Sequence, residues 1–258
     1  MTEALDAWEL KNAMGALARD WDILFFERTD STGLEARRAA AEGRDRPALI
    51  VAAEQTAGRG RLGRSFYSPN GTGVYVTFLF PVRGRLSDMV SLTCASAVAV
   101  MRAIRKTVGK QTEIKWVNDL YWRERKVCGI LAESFCVGAR TYLTVGIGIN
   151  LRPCAFPPAL SQIAGSLEDS RVKRSDLIAS VAEEMVAFLY RPTDTSWLSD
   201  YRAHSLVLGK RVYWERNGER REGVAEEIYA DGGLAVREDH GETSVLRTGE
   251  ITLRLLEK

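Results

Sequence analysis

Residues 54–73 read EQTAGRGRLGRSFYSPNGTG. Gly58, Gly60 and Gly63 match the glycine spacing of a dinucleotide-binding turn, and the apolar run Ala48 to Ala53 before them supplies the strand such a turn follows. The match fails on the two remaining conditions. Pro69, Asn70, Gly71 and Gly73 lead into a second apolar run, Gly73 to Phe80, so the glycines do not open a helix. No acidic residue stands between Gly63 and Asp88 to meet a ribose hydroxyl. The stretch is a loop between two strands, and the Rossmann reading is a poor one.

Outward from this loop, the pattern predicts mixed α and β elements. Apolar residues at Leu5, Trp8, Leu10, Met14 and Leu17 predict an amphipathic helix to Arg19. Asp22 to Glu27 reads as a strand, and Asp30-Ser31-Thr32 offers the N-cap of a helix to about Ala41. Gly73 to Phe80, rich in β-branched and aromatic residues, predicts a strand buried on both faces. A long helix is predicted from Ser87-Asp88 to Val108, stopped by Gly109. Strand-like segments follow at Glu113 to Trp116, Lys126 to Phe135 and Arg140 to Leu151. Helices are predicted from Ser175-Asp176 to Tyr190 and over Trp197 to His204. The main body, residues 1–204, is thus α+β, a mixed sheet with helices packed on one side. From residue 205 to 258 the texture changes to short strands (Arg211 to Arg216, Gly223 to Tyr229, Gly233 to Glu238, Glu250 to Leu255) with Asn217-Gly218 and Asp231-Gly232 as hairpin turns. That pattern predicts a second, small C-terminal β-barrel.

Bulk properties prune the functions. Among 258 residues, Lys plus Arg is 36 and Asp plus Glu 34, a net charge of +2 that gives no bulk affinity for nucleic acid or membranes. The first ten residues carry Glu3, Asp6 and Glu9, so they do not read as a secretory signal, and no apolar run is long enough to span a bilayer. The four cysteines lack C-x-x-C spacing and fit a reducing, cytoplasmic setting. With only His204 and His240 present, neither a zinc site nor a histidine-dependent nucleophile is expected. Chemistry must rest on Arg, Lys, Asp, Asn and backbone amides, which suits reactions of phosphates.

Three segments carry it. In the first, Arg59, Arg61 and Arg64 alternate with glycines; this reads as a phosphate-binding loop, a solvated basic loop or a nucleic-acid groove. In the second, Asn118-Asp119 is either a turn or, with Asp119, a Mg²⁺ position beside a phosphate. Lys126 opens an apolar strand, where a lysine snorkels outward or faces a site. In the third, Gly146 and Gly148 share one strand face and mark close packing of a helix or approach of a ligand.

Taken together and in order, DST (Asp30 to Thr32), EQTAGRGRLGR (Glu54 to Arg64), Ser68-Pro69, KWVNDL (Lys115 to Leu120), RKVCGIL (Arg125 to Leu131) and GIGIN (Gly146 to Asn150) resemble the biotin–protein ligase family. The resemblance implies that family's catalytic fold, a C-terminal SH3-like barrel including Arg254, and ATP-dependent activation of biotin with transfer to a lysine. It implies that Ser31, Thr32 and Gln55 line the biotin pocket, with Gly58, Gly129, Gly146 and Gly148 at its close-approach points. Arg59, Arg61 and Lys126 would meet the reacting carboxylate and phosphate as the catalytic groups. Arg61, Arg64, Phe66, Asn118 and Asn150 would hold ATP, and Asp119 Mg²⁺. ATP with Mg²⁺ and biotin are the implied ligands, with no zinc, haem or flavin. A biotin carboxyl carrier protein is the implied acceptor, and some relatives dimerise through the catalytic sheet. About twenty residues precede the first catalytic strand, too few for a helix-turn-helix, so no specific DNA binding is expected. Val117, Gly33 and Cys128 depart from the family's usual proline, asparagine and small residue, and bear on rate and affinity. The alternatives are a lipoate or octanoate ligase of the same fold, or a non-catalytic biotin-binding module.

Overall fold

The computed structural model describes residues 5–82, 89–189, 194–216, 218–247 and 254–255. Asp6 caps the first helix, its carboxylate accepting from the Glu9 N–H at 2.8 Å. That helix, α1 (Ala7–Met14), stops at Gly15, whose φ of 54° leaves regular helix geometry. The helix predicted to run on to Arg19 is therefore a helix followed by a 3₁₀ turn, Gly15–Arg19.

β1 (Asp22–Thr29), α2 (Thr32–Ala41) and β2 (Ala48–Gln55) form a unit with β1 parallel to β2. β3 (Gly73–Val82) runs antiparallel to β2, and α3 (Met89–Val108) follows. The start predicted for α3 at Ser87-Asp88 lies outside the described residues. Next come β4 (Glu113–Lys115), β5 (Asp119–Trp122), β6 (Arg125–Val137), β7 (Arg140–Asn150), α4 (Arg174–Leu189) and α5 (Trp197–Ala203). The end predicted at Tyr190 also lies outside the described residues. The seven strands form one mixed sheet in the order β1-β2-β3-β7-β6-β5-β4. β5 was not legible in the sequence because its four residues contain Asp119 and two aromatics at the edge of a turn.

Side-chain alternation sorts the sheet into two faces. Val74, Val76 and Phe78 of β3 and Val145, Ile147 and Ile149 of β7 join α1, α3 and α4 in the main core. Met101 and Ile104 of α3 are fully buried there, sites where truncation to Ala costs ~2–5 kcal/mol. Ala48, Ile50, Leu79 and Tyr142 point the other way and pack against Ala36, Ala39 and Ala40 of α2. The expectation of helices on one side is thus corrected: α2 covers part of the opposite face. A parallel β1–β2 pair needs a crossover, and the alanine stripe lets that helix sit close to the sheet. The rest of this face, beyond the N-terminus of α2, is where the site lies.

The C-terminal strands β8 (Arg211–Arg216), β9 (Glu219–Ile228), β10 (Leu234–Glu238), β11 (Thr243–Leu246) and β12 (Arg254–Leu255) form a five-stranded sheet in the order β11-β10-β9-β8-β12. β11 was not predicted. Asn217, the first residue of the predicted β8–β9 turn, and most of the strand predicted over 250–255 lie outside the described residues. Val212, Trp214, Ala225, Ile228, Leu234 and Val236 are continuous with the main core. The Trp116 Nε1–H donates to the Gly232 carbonyl at 2.9 Å, and Arg202 donates to the Ile228 carbonyl. The segment joining the two sheets caps the outer edge of β4, with Ile114 and Leu206 N–H groups donating to His204 and Ile114 carbonyls at 2.8 Å. Among the described residues no helix is long and apolar enough to cross a membrane.

Candidate active site

The floor of the site is a row of register partners. Tyr75, Gly148, Gly129, Asp119 and Lys115 lie opposite one another on β3, β7, β6, β5 and β4, and Thr77, Gly146 and Leu131 form the next row. The intervening residues Ile147 and Ile149 face the helices, so the glycines of β7 do not serve helix packing. A Cβ at Gly148 would lie 2.5 Å from Phe66 Cε1. The Phe66 ring therefore occupies the space that glycine leaves, and it also reaches Gly129 and meets Tyr75 edge-on at 6.4 Å. At Gly146 the nearest atom to such a Cβ is Thr77 Oγ1 at 3.5 Å, an ordinary contact, so nothing in the protein crowds it.

One end of this floor is walled by a polar cluster. Ser31 caps α2 and accepts from the Gly33 N–H at 3.2 Å, while Thr32 opens the helix. Thr32 donates through both its backbone N–H (2.9 Å) and its hydroxyl (3.0 Å) to Gln55 Oε1. Gln55 Nε2 donates to Ser68 Oγ at 2.9 Å, and the Thr77 hydroxyl donates to Thr32 Oγ1 at 2.9 Å. Ser31, Thr32 and Gln55, which the resemblance placed together, are together. Thr77 was missed as a site residue, although a lone threonine in the apolar run of β3 was the available signal, and Ser68 was noted only as part of a motif, without a role. Behind the cluster, Arg38 pairs with Asp30 at 2.5 Å, and the Ser31 N–H donates to the same carboxylate at 2.6 Å. Arg38 chiefly, against a modest desolvation, holds the Asp30 carboxyl down at about 2.

The Gly/Arg loop folds back on itself: Phe66 N–H donates to the Gly58 carbonyl at 2.9 Å and Gly60 N–H to the Arg64 carbonyl at 2.7 Å. Only glycine fits at 58, since a Cβ would lie 2.4 Å from the Phe66 carbonyl oxygen. Arg61 then reaches across to donate to Asn118 Oδ1 at 2.9 Å. Asn118 is locked in turn, its amide donating to the Ile130 carbonyl at 2.8 Å while its own carbonyl accepts from the Ile130 N–H. Burial holds the Arg61 guanidinium below the ordinary arginine range, opposed by Asp119 and reinforced by Arg64. Among the described residues the Arg59 guanidinium has no hydrogen-bond or ion-pair partner, and Arg59 is exposed.

Lys126 Nζ lies 2.7 Å from Asp119 Oδ1, both side chains half-buried. Strict alternation would send Lys126 to the same side as Cys128, into the core. A bulge prevents this: Leu120 pairs with Cys128 but Tyr121 with Lys126, leaving Val127 as the extra residue. Val127 and Cys128 are both fully buried in the helix-side core, and Lys126 turns with Gly129 toward the site. Burial pushes the Cys128 thiol far up, so it is an inert packing group. The Lys126 backbone is clamped by residues 163–165, accepting from the Gly165 N–H and donating to the Ile163 carbonyl at 2.9 Å. Asn150 is 7% exposed and spends its amide on the Gly165 carbonyl at 2.9 Å, so it holds this clamp. Lys126 pairs with Asp119, and Arg61 is close enough to feel both Asp119 and Arg64, a local excess of positive charge suited to an anionic ligand.

Residues 25–150 match the family model described as Biotin/lipoate A/B protein ligase family. The biotin–[acetyl-CoA-carboxylase] ligase of Mycobacterium tuberculosis is 31% identical over 263 residues, covering 96% of this chain and 95% of that protein. The chain belongs to the biotin protein ligase family. A second ligase of this family, from Paracoccus denitrificans, is 32% identical over 226 residues, covering 81% of this chain and 92% of its own. The bifunctional ligase/repressor of Bacillus subtilis is 31% identical over 196 residues, but the chain spans only 58% of its length. The biotin protein ligase of Aquifex aeolicus, solved in complex with biotin and ATP, superposes with a TM-score of 0.77 at 26% identity, covering 91% of this chain and 99% of that one.

Proposed function

We propose that the protein activates biotin with ATP and transfers it to a lysine of a biotin carboxyl carrier protein. The observation that carries this reading is the Lys126–Asp119 pair beside the Arg61–Asn118 contact, on the glycine floor that begins at the Thr32–Gln55 cluster. That array sets a polar cluster at one end of the glycine floor and cationic groups at the other, which suits a ureido ring at the first and a carboxylate meeting a phosphate at the second.

The chemistry follows from the charges. The biotin carboxylate attacks the α-phosphate of ATP, forming biotinyl-5′-AMP and expelling pyrophosphate. Charge builds on the transferring phosphoryl group, where Lys126, Arg61 and Arg59 provide fixed or recruitable cations. Asp119 aims Lys126, and Asn118 aims Arg61. The neutral amine of the acceptor lysine then attacks the activated carbonyl, AMP departs, and an amide remains. The mixed anhydride hydrolyses in water, so closure of residues 58–66 over it protects the intermediate. Ser31, Thr32 and Gln55 take the biotin ring, with the uncrowded Gly146 admitting it closely, while Gly58, Gly129 and Gly148 serve by seating the Phe66 segment that walls the ligand. Arg64 and Phe66 complete the nucleotide side, where Asn150 acts by holding the clamp at Gly165.

Mg²⁺ enters this reading only with the nucleotide. Among the described residues no three His, Cys, Asp or Glu side chains are placed to hold a metal, and Asp119 is already paired with Lys126. Asp119 alone could meet the cation, whose other ligands would be phosphate oxygens and water. Bound there, it would neutralise phosphate charge.

The same reading divides the chain into residues 1–204 and 205–258, the second an SH3-like barrel built on the five-stranded sheet. The four free thiols agree with a cytoplasmic enzyme. The test is acid-stable capture of the acyl-adenylate and pyrophosphate release with biotin, lipoate or octanoate. Turnover with biotin alone, lost in Lys126→Ala, supports the ligase reading; turnover with lipoate or octanoate instead moves the enzyme to that branch of the fold. Tight biotin binding without turnover would mark a binding module.

A further inference from the structure

One backbone N–H fixes the direction of every hydrogen bond in the polar cluster. The Thr32 N–H can only donate, so the Gln55 atom it meets at 2.9 Å is the amide oxygen. The Thr32 hydroxyl reaches the same oxygen at 3.0 Å and must donate to it as well. Its proton is then spent, so the proton in the 2.9 Å bond between Thr77 and Thr32 belongs to Thr77. On the other side, Gln55 Nε2 donates to Ser68 Oγ at 2.9 Å, and Ser68 passes its own proton to the Phe66 carbonyl at 2.9 Å.

What this chain leaves over is what a ligand can use. Thr77 has given away its one proton, and among the described residues no donor meets its oxygen, so it ends the chain as an acceptor. Ser31 is the converse. Its hydroxyl accepts from the Gly33 N–H at 3.2 Å, and among the described residues its own proton has no acceptor. The second Nε2 proton of Gln55 is unspent in the same way. Thr77 stands opposite Gly146 in register, and an atom seated where a Gly146 Cβ would lie is 3.5 Å from Thr77 Oγ1. Thr77 itself is buried while Gly146 is half-buried, so the opening over that glycine is how a ligand reaches the Thr77 oxygen.

A cyclic urea carries N–H and C=O groups side by side, the first suited to Thr77 and the second to the Ser31 and Gln55 donors. A dithiolane or an alkyl end carries neither. Either would take water from those donors and return no acceptor, and would bring Thr77 no donor. We propose that Thr77 accepts a hydrogen bond from a ring N–H of the ligand and is a specificity-determining residue, favouring a cyclic urea over a dithiolane or an alkyl end. This rests on the ligase reading and deepens it, because the acceptor comes from β3, outside the motifs that carry the family resemblance.

The test compares the unaltered enzyme with Thr77→Val, which keeps the shape and removes the oxygen, and with Thr77→Ser, which keeps the oxygen. Dissociation constants are measured calorimetrically for biotin and for its two cyclic-carbamate analogues, each with one ring N–H replaced by oxygen. Thr77→Val should weaken biotin binding by about tenfold, and Thr77→Ser should restore it. The carbamate that lacks the N–H facing Thr77 should bind the unaltered enzyme weakly and lose nothing further in Thr77→Val. Equal losses with biotin and both carbamates would make Thr77 a packing residue and overturn the proposal, as would unchanged biotin binding. Should Thr77→Val not fold, Thr77→Ala, which removes the oxygen and adds no apolar atom, is read against the same outcomes. Pyrophosphate release by the unaltered enzyme is measured separately. Biotin binding without release would sink the ligase reading while the binding comparison still decides Thr77, and no biotin binding at all would overturn both.

Discussion

The Phe66 ring lies over Gly148 so closely that a Cβ at that position would stand 2.5 Å from Cε1. The glycine and the aromatic therefore define one another: the ring is fixed by the missing side chain beneath it. Gly148→Ala should displace the ring, costing ~1–3 kcal/mol of stability through overpacking and weakening ligand binding by about tenfold, a shift of ~1.4 kcal/mol. Adding Phe66→Leu should restore the stability but not the affinity. Calorimetry and chemical denaturation of the two variants check this; unchanged binding in Gly148→Ala would remove Phe66 from the site.

Lys126 and Asp119 should behave as a unit. Lys126→Ala should lower acyl-adenylate formation by about 10²–10³-fold, the scale of losing one preorganised charge at a transferring group. It leaves the half-buried Asp119 carboxylate without its partner at 2.7 Å, so a loss of ~1–3 kcal/mol in stability should accompany it. Asp119→Asn should reduce kcat more gently while keeping the fold, since a neutral amide is not stranded. Single-turnover kinetics alongside urea denaturation separate the two effects.

The two loop arginines should part company. Arg59 has no partner among the described residues, so Arg59→Ala should leave stability within ~0.5 kcal/mol yet let biotinyl-AMP escape. Arg61 holds Asn118 at 2.9 Å, and Arg61→Ala should cost ~1 kcal/mol and raise the ATP KM. Intermediate release is read by trapping the free adenylate; retention equal to the unaltered enzyme in Arg59→Ala would end its proposed role.

Trp116 ties the C-terminal sheet to the strand that leads into Asn118-Asp119, donating to the Gly232 carbonyl at 2.9 Å. Trp116→Phe keeps an aromatic side chain but leaves that buried carbonyl only the weak contact of the Cys94 thiol at 3.9 Å, an expected loss of ~1–3 kcal/mol. Limited proteolysis should then cut near residues 204–206 faster than in the parent.

Asp30 makes stability depend on acid. Its folded carboxyl titrates at about 2 against an ordinary 3.8, mainly because of Arg38. A depressed folded value means the contribution is complete above the ordinary value and is lost as the pH falls from about 4 toward 2. Asp30→Asn should therefore be less stable than the parent at neutral pH, and the difference should fade as the pH drops from about 4 and be gone only below about 2. A difference independent of pH would mean that the pair with Arg38 is not its origin.

The site was legible in the sequence where its chemistry is local. Gly58, Arg61 and Asn118 each sit where a glycine-rich or turn-forming stretch demands a special backbone, and such demands survive without tertiary context. Thr77 was missed, and Ser68 was noted only as part of the Ser68-Pro69 motif without a role, because neither hydroxyl has a site partner until Thr32 and Gln55 are brought beside them. β5 and β11 were missed because four residues carry too little alternation to mark a strand.

Apart from β5 and β11, the order of strands and helices, the mixed sheet, the glycine loop and the residue types able to handle a phosphate were readable from periodicity, caps and turn residues along the chain. Which side of the sheet each residue would face was not. That α2 crosses to the face opposite α3 and α4 follows from the parallel pairing of β1 with β2, a contact between distant segments. That Lys126 points at Asp119 instead of into the core follows from one bulged residue, Val127. Strand pairing carries a period of two, so a single unpaired residue reverses every later assignment to a face, and no pattern within the strand itself announces it.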